Sequence, residues 1–113
     1  MKLKLKLTPD AILAIDRLLS RLYAISPAGS TVRERMLLSI MYELADLFSK
    51  TAKKITRTTD LFSGNKKNKS ITLKYYEAWA LEQIIREFIN LEENPYKKNL
   101  LQKTADEINQ KLV

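Results

Sequence analysis

The side chains in this chain that could do chemistry are carboxylates and amines, because its 113 residues include neither cysteine nor histidine. That absence excludes disulfides, zinc sites of the usual Cys/His kind, and catalysis by a thiol or an imidazole. The sequence also has no glycine loop that cradles phosphate, no nucleophile elbow and no metal-ligand spacing. We therefore expect no cofactor and no small-molecule substrate.

Carboxylates are the remaining candidates for acid–base catalysis, and their spacing does not favour it. The acids at 92–93 and 106–107 are adjacent pairs, and adjacent residues on a helix point in different directions. Glu43 and Asp46 share a helical face, but the neighbouring apolar pattern places that face towards solvent. These arrangements predict a protein that is not an enzyme.

The cations, in contrast, are concentrated in two segments. The formal net charge is +7, and residues 50–74 contain eight lysine or arginine residues but only one acid, Asp60. The opening stretch KLKLKL adds three lysines that alternate with leucine. A localised positive field favours an anionic partner, and the partner we expect is DNA. The candidate binding residues in these segments are Lys2, Lys4, Lys6, Lys50, Lys53, Lys54, Arg57, Lys66, Lys67, Lys69, Thr72 and Lys74.

The elements that would position these residues begin with a strand and two helices. The alternation in KLKLKL predicts a half-buried strand, and the Thr-Pro-Asp sequence after it is typical of a helix start. The sequence SPAGS breaks the chain, and Thr31 followed by Glu34 predicts the start of a second helix. The β-branched residues at 55–59 weaken helix preference, so we expect that helix to fray there.

The second half of the chain shows the same order of elements. After the lysine-rich SGNKKNKS, alternation returns at 71–75, with Ile71, Leu73 and Tyr75 on one side of a strand and Thr72 and Lys74 on the other. Helical patterns follow, one through Ala78 to Ile89 and one from about Tyr96 to Leu112, with EENP between them.

The two halves form a weak internal repeat. At an offset of 66 residues, Leu5 matches Ile71 and Leu7 matches Leu73. We expect a single domain over 1–113, with one repeat at about 2–62, a basic loop at 63–70 and a second repeat at about 70–113. The expected fold class is α+β and mostly helical: a two-stranded antiparallel ribbon whose apolar face is covered by four helices.

The order strand–helix–helix resembles the ribbon–helix–helix family of DNA-binding proteins, the MetJ/Arc group. The stretch LKLKLTPDAILAID resembles the family's strand and first helix, and GSTVRERMLLSIMYEL resembles its turn into the second helix. The resemblance implies that the paired strands enter the major groove and turn Lys2, Lys4 and Lys6 towards base edges. It also implies that two repeats in one chain replace the usual dimer.

The resemblance further implies a phosphate clamp at the start of the second helix. Backbone amides at Ser30, Thr31 and Val32 would hold the phosphate, because a helix N-terminus is an anion site. The second half departs from the family pattern, since EENPYKK stands where the Gly-Ser turn would be and its acids would repel a phosphate.

Each signal also has an explanation that needs no ligand. Lysines on an exposed strand face prevent edge aggregation, and those at 50–57 suit a solvated helix end near the negative pole of the helix dipole. The basic loop has a composition that suits plain flexibility. Tyr75 and Trp79 are expected to pack in the core, and the alternative is an aromatic platform for single-stranded nucleic acid together with Tyr76.

Nucleic-acid binding, with an affinity that falls as salt rises, is the leading interpretation. The alternative is a non-enzymatic helical module for protein–protein interaction or assembly, with a protein partner or a second copy. No apolar run approaches the ~20 residues that a bilayer span requires, and charges interrupt the apolar N-terminal stretch, unlike a signal peptide. We expect a soluble cytoplasmic protein with no membrane partner.

Overall fold

The computed structural model describes residues 2–23, 31–61 and 68–113, and it gives side-chain positions in these ranges except at 56–61. In chain order the elements are β1 (Lys2–Leu7), α1 (Pro9–Tyr23), α2 (Val32–Leu61), β2 (Lys69–Lys74), α3 (Tyr75–Phe88), a single 3-10 turn (Ile89–Leu91) and α4 (Pro95–Leu112). The expected fold class, mostly helical α+β with a two-stranded antiparallel sheet, is confirmed.

The two strands pair antiparallel and form the ribbon that the sequence predicts. The register runs from Lys2 opposite Lys74 to Leu7 opposite Lys69. Burial alternates along β1, with leucines buried and lysines exposed, because successive side chains of a strand point to opposite faces. The leucines therefore hold the ribbon on the helices, and the lysines are left on its outer surface.

The free edge of β1 is covered by the end of α4. The Lys111 ammonium in α4 donates a hydrogen bond of 2.9 Å to the backbone carbonyl of Lys4. That carbonyl therefore points away from β2. Opposed residues in antiparallel strands alternate between pairs that share backbone hydrogen bonds and pairs that do not. Lys4 and Thr72 are therefore a pair without direct backbone hydrogen bonds, the kind whose Cα atoms lie closer together.

Short polar side chains begin three of the helices. The Thr8 hydroxyl accepts from the Ala11 N–H at 3.2 Å, and the Thr31 hydroxyl accepts from the Glu34 N–H at 3.2 Å. Asn94 accepts from the first-turn amides of α4. The predicted helix starts after KLKLKL and after SPAGS are therefore confirmed, since these side chains satisfy amides that lack partners inside the helix.

The helices pack as two antiparallel pairs. In the first pair, Tyr23 of α1 meets Tyr42 of α2 with ring centroids 4.8 Å apart, while Lys53 lies beside Asp16. In the second pair, Glu82 and Arg86 of α3 contact the second half of α4. Contacts of α1 with α4 and of α2 with α3 join the pairs into one core. The largest fully buried side chains are Phe48, Leu5, Ile12, Ile15, Leu18, Leu19, Leu22, Met41, Leu44, Leu73, Leu81 and Ile84.

The internal repeat stays a sequence prediction, although some of the positions that it matches are buried in both halves. Leu5 and Ile71 lie 66 residues apart and are also directly paired in the ribbon. On the first helices, Ile15 and Leu81 are both fully buried at the same offset. On the second helices, Leu37 and Leu101 are both buried at an offset of 64 residues. The helices differ in length, since α2 has 30 residues and α4 has 18.

Two local expectations are wrong. The second strand ends at Lys74, so Tyr75 is the first residue of α3, and Tyr75 and Trp79 are exposed by 38% and 42% instead of lying in the core. The helix predicted to fray at 55–59 continues to Leu61. Ala52 and Ile55 are buried in it, and tertiary packing outweighs the weak helix preference of the β-branched residues.

Helices long and apolar enough to cross a membrane are absent from the ranges that the structure describes.

Candidate nucleic-acid interface

The outward face of the ribbon consists of alternate residues of both strands. Its side chains are exposed, and they include four lysines, one serine, one threonine and no acid. In the register of the ribbon they form three opposed pairs, which are Lys2 with Lys74, Lys4 with Thr72 and Lys6 with Ser70. The structure therefore brings together five of the predicted residues, namely Lys2, Lys4, Lys6, Thr72 and Lys74.

The spacing of the outward face follows from strand geometry. Alternate residues lie ~7 Å apart along a strand, and paired strands lie ~4.8 Å apart. Leu3, Leu5 and Leu7 are almost completely buried, which prevents β1 from rotating about its axis. The lysine ammoniums are thus presented from a fixed backbone, although each ends a flexible side chain.

At one end of the ribbon, Lys74 joins the outward face to α3. Its ammonium lies 5.7 Å from the ring centroid of Tyr76, a distance typical of cation–π contacts. Its backbone N–H donates to the Glu77 carboxylate at 2.9 Å, and this contact supports the start of α3. At the other end, Lys69 is exposed opposite Leu7.

The basic helix segment, Lys50, Lys53, Lys54 and Arg57 of α2, is partly neutralised. The Lys50 ammonium lies 3.6 Å from the carboxylate of Asp46, and both side chains are exposed. Burial raises the pKa of Asp16 above its ordinary value, and the nearby Lys53 charge opposes that rise. Lys54 is exposed. Such pairs reduce the local positive field around the segment.

The basic helix segment nevertheless runs towards the ribbon. Because α1 and α2 are antiparallel and Lys53 lies beside Asp16, the rest of α2 passes the first half of α1. That half of α1 directly follows β1, and the chain re-enters the ribbon at Lys69 soon after α2 ends. The direction of α2 thus brings the end of the basic helix segment towards the Leu7–Lys69 end of the ribbon.

The two second helices differ at their starts. Thr31, which is exposed, uses its hydroxyl to cap α2. At α4, the Asn94 side chain accepts from the amides of Tyr96 and Lys97, and Glu92 accepts from the Asn94 N–H. The amides at the start of α4 are therefore already used within the chain. EENPYKK forms a self-capped helix start in place of a phosphate clamp.

Some candidate residues lie outside the described residues. Ser30, Lys66 and Lys67 fall in the ranges between the described segments, and the side chain of Arg57 falls in the part of α2 for which only the backbone is described. These four residues remain sequence predictions.

Glu92 has a structural role that its sequence position did not indicate. Its side chain is 2% exposed, accepts from the Asn94 N–H at 3.1 Å and lies 3.6 Å from Arg17 of α1. Burial opposes ionisation, but the Asn94 hydrogen bond and the charges of Arg17, Lys97 and Arg21 outweigh it and lower the pKa of Glu92 below its ordinary value. The carboxylate therefore links the first half of the chain to α4.

Replacing Glu92 with glutamine should lower the free energy of unfolding by about 1–3 kcal/mol near neutral pH, because the Asn94 N–H and Arg17 lose a buried, charged acceptor. Because the pKa of Glu92 is lower in the folded state than in the unfolded state, its ionisation stabilises the fold at pH values above the ordinary pKa of 4.5. This stabilisation disappears as the pH falls through the pKa of the folded state. Urea unfolding at about pH 7 and about pH 3 should therefore show a smaller difference between wild type and variant in acid. Glu93→Gln, at an exposed neighbour, is the control, and an equal difference at both pH values would contradict the assignment.

Two further features of this surface were missed by sequence reasoning. Lys111 was not singled out, yet it adds a cation beside Lys4. The exposed rings of Tyr75 and Trp79 were expected in the core, although the adjoining Lys74 was a signal that this end of α3 meets a charged surface.

Comparison of the chain with protein-family models, with curated proteins and with solved structures returned no match. Within the described residues, no group of three or more aspartate or glutamate side chains is placed to hold a metal ion.

Proposed function

We propose that this protein binds nucleic acid, specifically DNA, through the outward face of the ribbon, and that it acts by binding without catalysis. The observation that carries the proposal is the composition of that face: four exposed lysines, a serine and a threonine, with no acid among them. Such a surface attracts phosphates, and its affinity comes from the release of counterions.

The shape of the ribbon also suits duplex DNA. A two-stranded ribbon fits the major groove, which is ~12 Å wide. Lysines on such a ribbon can contact phosphate or the acceptor atoms of guanine, and Ser70 and Thr72 can donate to or accept from base edges. The basic helix segment adds a second cationic surface, partly neutralised by Asp16 and Asp46.

The ribbon–helix–helix resemblance is supported by the register of the ribbon. In an antiparallel ribbon, the residue numbers of two opposed residues always add up to the same total. In the repeat, the residue numbers of two matched residues always differ by the same amount. Only one pair can satisfy both conditions, and that pair, Leu5 with Ile71, lies near the middle of the ribbon. This coincidence is what a two-fold relation between two strand–helix–helix halves requires, so we propose that one chain takes the place of a symmetric dimer.

The two halves would not contribute equally. Both helix starts are capped, but α4 begins with Pro95, which has no N–H, and Asn94 takes the amides of Tyr96 and Lys97. At α2 the Thr31 hydroxyl accepts from the Glu34 N–H. We therefore propose that the phosphate is held at the start of α2 and not at the start of α4.

The test is fluorescence anisotropy of a labelled random duplex across a salt series. The variant Lys4→Ala/Lys6→Ala should bind more weakly, and the slope of log affinity against log salt should decrease by about 1.8, since each phosphate contact contributes about 0.9. The matched control is Lys98→Ala/Lys103→Ala, which removes the same charge from α4. The control residues lie at least two helical turns before Lys111, which contacts the ribbon.

If the two double variants had equal slopes, binding would depend on total charge and not on where the lysines lie. That result would contradict a ribbon interface. The absence of duplex binding at low salt would reject the proposal outright. That result would favour the alternative function, a module for protein–protein interaction or assembly. Val32 and Met36, exposed by 67% and 61% on α2, are the observation that favours this alternative.

A further inference from the structure

Three aromatic side chains lie exposed at the start of α3, where it leaves the ribbon. Tyr75, Tyr76 and Trp79 are exposed by 38%, 45% and 42%, and we call them the aromatic ledge. Trp79 is four residues from Tyr75 and three from Tyr76, so its ring shares a helical face with each of them, whereas the adjacent Tyr75 and Tyr76 point in different directions. Tyr75 and Trp79 therefore form one exposed pair of rings, and Tyr76, on the other side of Trp79, contacts Lys74.

The start of α3 lies beyond the end of α4. The Asn109 side chain of α4 donates to Glu82 of α3 at 3.1 Å, and α4 ends three residues later at Leu112. Because α3 and α4 are antiparallel, the end of α4 lies near residue 79 of α3, and the first turn of α3 extends past it.

The charges around the ledge are mainly positive on its ribbon side. The ammonium of Lys74 lies over the Tyr76 ring, and Lys2 is directly opposite Lys74 in the ribbon. On the side of α2, the Tyr76 hydroxyl donates to Glu43 at 3.4 Å. Glu77 accepts from the Lys74 backbone N–H. These contacts hold Tyr76 in place, so Tyr75 and Trp79 are the rings best placed to stack on a ligand.

We propose that the aromatic ledge stacks unpaired bases of a nucleic-acid strand whose phosphates contact Lys2 and Lys74. Exposed rings beside cations are the combination that binds single strands, because every base has a face that stacks and every linkage carries a negative charge. The inference rests on the proposed function: the ribbon holds duplex, and the ledge holds the unpaired bases that adjoin it. The preferred ligand is thus a duplex with a single-stranded end.

The experiment uses Trp79 itself, the single tryptophan of the chain, as a fluorescent reporter. The wild-type protein is titrated with a blunt duplex, with the same duplex carrying an overhang of about six thymidines, and with an abasic overhang of the same length. The thymidine overhang should quench Trp79 and bind more tightly than the other two. The abasic overhang has the same phosphates, so it separates stacking from charge. A uridine overhang distinguishes RNA from DNA as the source of the bases.

Variants then show which rings are responsible for the tighter binding of the thymidine overhang. Trp79→Ala should weaken binding of the thymidine overhang between about 5-fold and 100-fold, measured by anisotropy, and leave blunt-duplex binding unchanged. Trp79→Phe should retain most of the gain because it keeps a ring. Tyr75→Ala provides a second test that does not alter the tryptophan, and Tyr23→Ala, at an exposed ring at the far end of α1, is the matched control.

The possible outcomes separate the two proposals. Duplex binding that depends on Lys4 and Lys6, with no gain from the thymidine overhang, would reject the ledge and leave the ribbon interface standing. If the abasic overhang bound as tightly as the thymidine overhang, the phosphates and not the bases would be responsible, and stacking would also be rejected. Failure to bind any of these nucleic acids would reject both proposals. Self-association that Trp79→Ala abolishes, without any effect on nucleic acid, would assign the ledge to a protein contact instead.

Discussion

Replacing Phe48 with alanine is expected to lower the free energy of unfolding by about 3–5 kcal/mol, which is a large part of the stability of a domain of this size. Phe48 is completely buried and belongs to the single core shared by the ribbon and the helices. Its removal leaves a cavity on α2, and the surrounding close-packed side chains can fill it only in part. Urea unfolding followed by circular dichroism measures the effect.

Met36→Ala is the matched control for Phe48→Ala. Met36 lies on the same helix but is 61% exposed, so its substitution should change stability by no more than about 0.5 kcal/mol. If the two variants lost similar stability, Phe48 would not be a core residue and the packing of α2 described above would be wrong.

A disulfide across the ribbon, introduced as Lys4→Cys/Thr72→Cys, is expected to form readily and to stabilise the protein by about 4 kcal/mol. The two residues are directly opposite each other, and the orientation of the Lys4 carbonyl makes them the closer kind of antiparallel pair. The cross-link closes a loop of more than half the chain, which removes much of the entropy of the unfolded state. The chain has no other cysteine, so no competing disulfide can form.

The control for the cross-link is Lys6→Cys/Thr72→Cys. These residues are diagonal neighbours on the same face, with side chains too far apart for a disulfide. Mass spectrometry and the urea midpoint with and without reductant measure both pairs. Faster oxidation of the diagonal pair would show that the register of the ribbon is shifted.

The sequence predicted the ribbon and the helices well because their signals are local. Strict alternation in KLKLKL specifies which side of the strand is buried, and Thr8 specifies where α1 begins. The outward-facing residues follow from such alternation in both strands, so five of the ribbon residues in the candidate site were predictable from period alone, namely Lys2, Lys4, Lys6, Thr72 and Lys74. Which of these residues lie opposite each other was not predictable, because the register of β1 depends on a strand far away in the sequence.

The features that escaped prediction depend on how distant elements meet. Tyr75 and Trp79 have the spacing of core residues, but their exposure depends on where α4 ends along α3. Glu92 was predicted to repel an anion at the start of α4, yet it is buried against Arg17 from the other half of the chain. Burial of this kind is a property of the assembled fold, and no pattern along EENPYKK encodes it.

The pairing of β1 with β2 also has a consequence for folding. The two strands lie near residue 5 and residue 71, so the ribbon joins segments that are far apart in the chain. Contacts between distant segments form slowly, because the intervening chain must be ordered first. During synthesis β1 emerges long before β2. Until β2 follows, β1 has no partner strand, and the ribbon that holds its leucines on the helices is incomplete. The surface proposed to bind DNA is therefore expected to be completed late, after α1 and α2 have already packed.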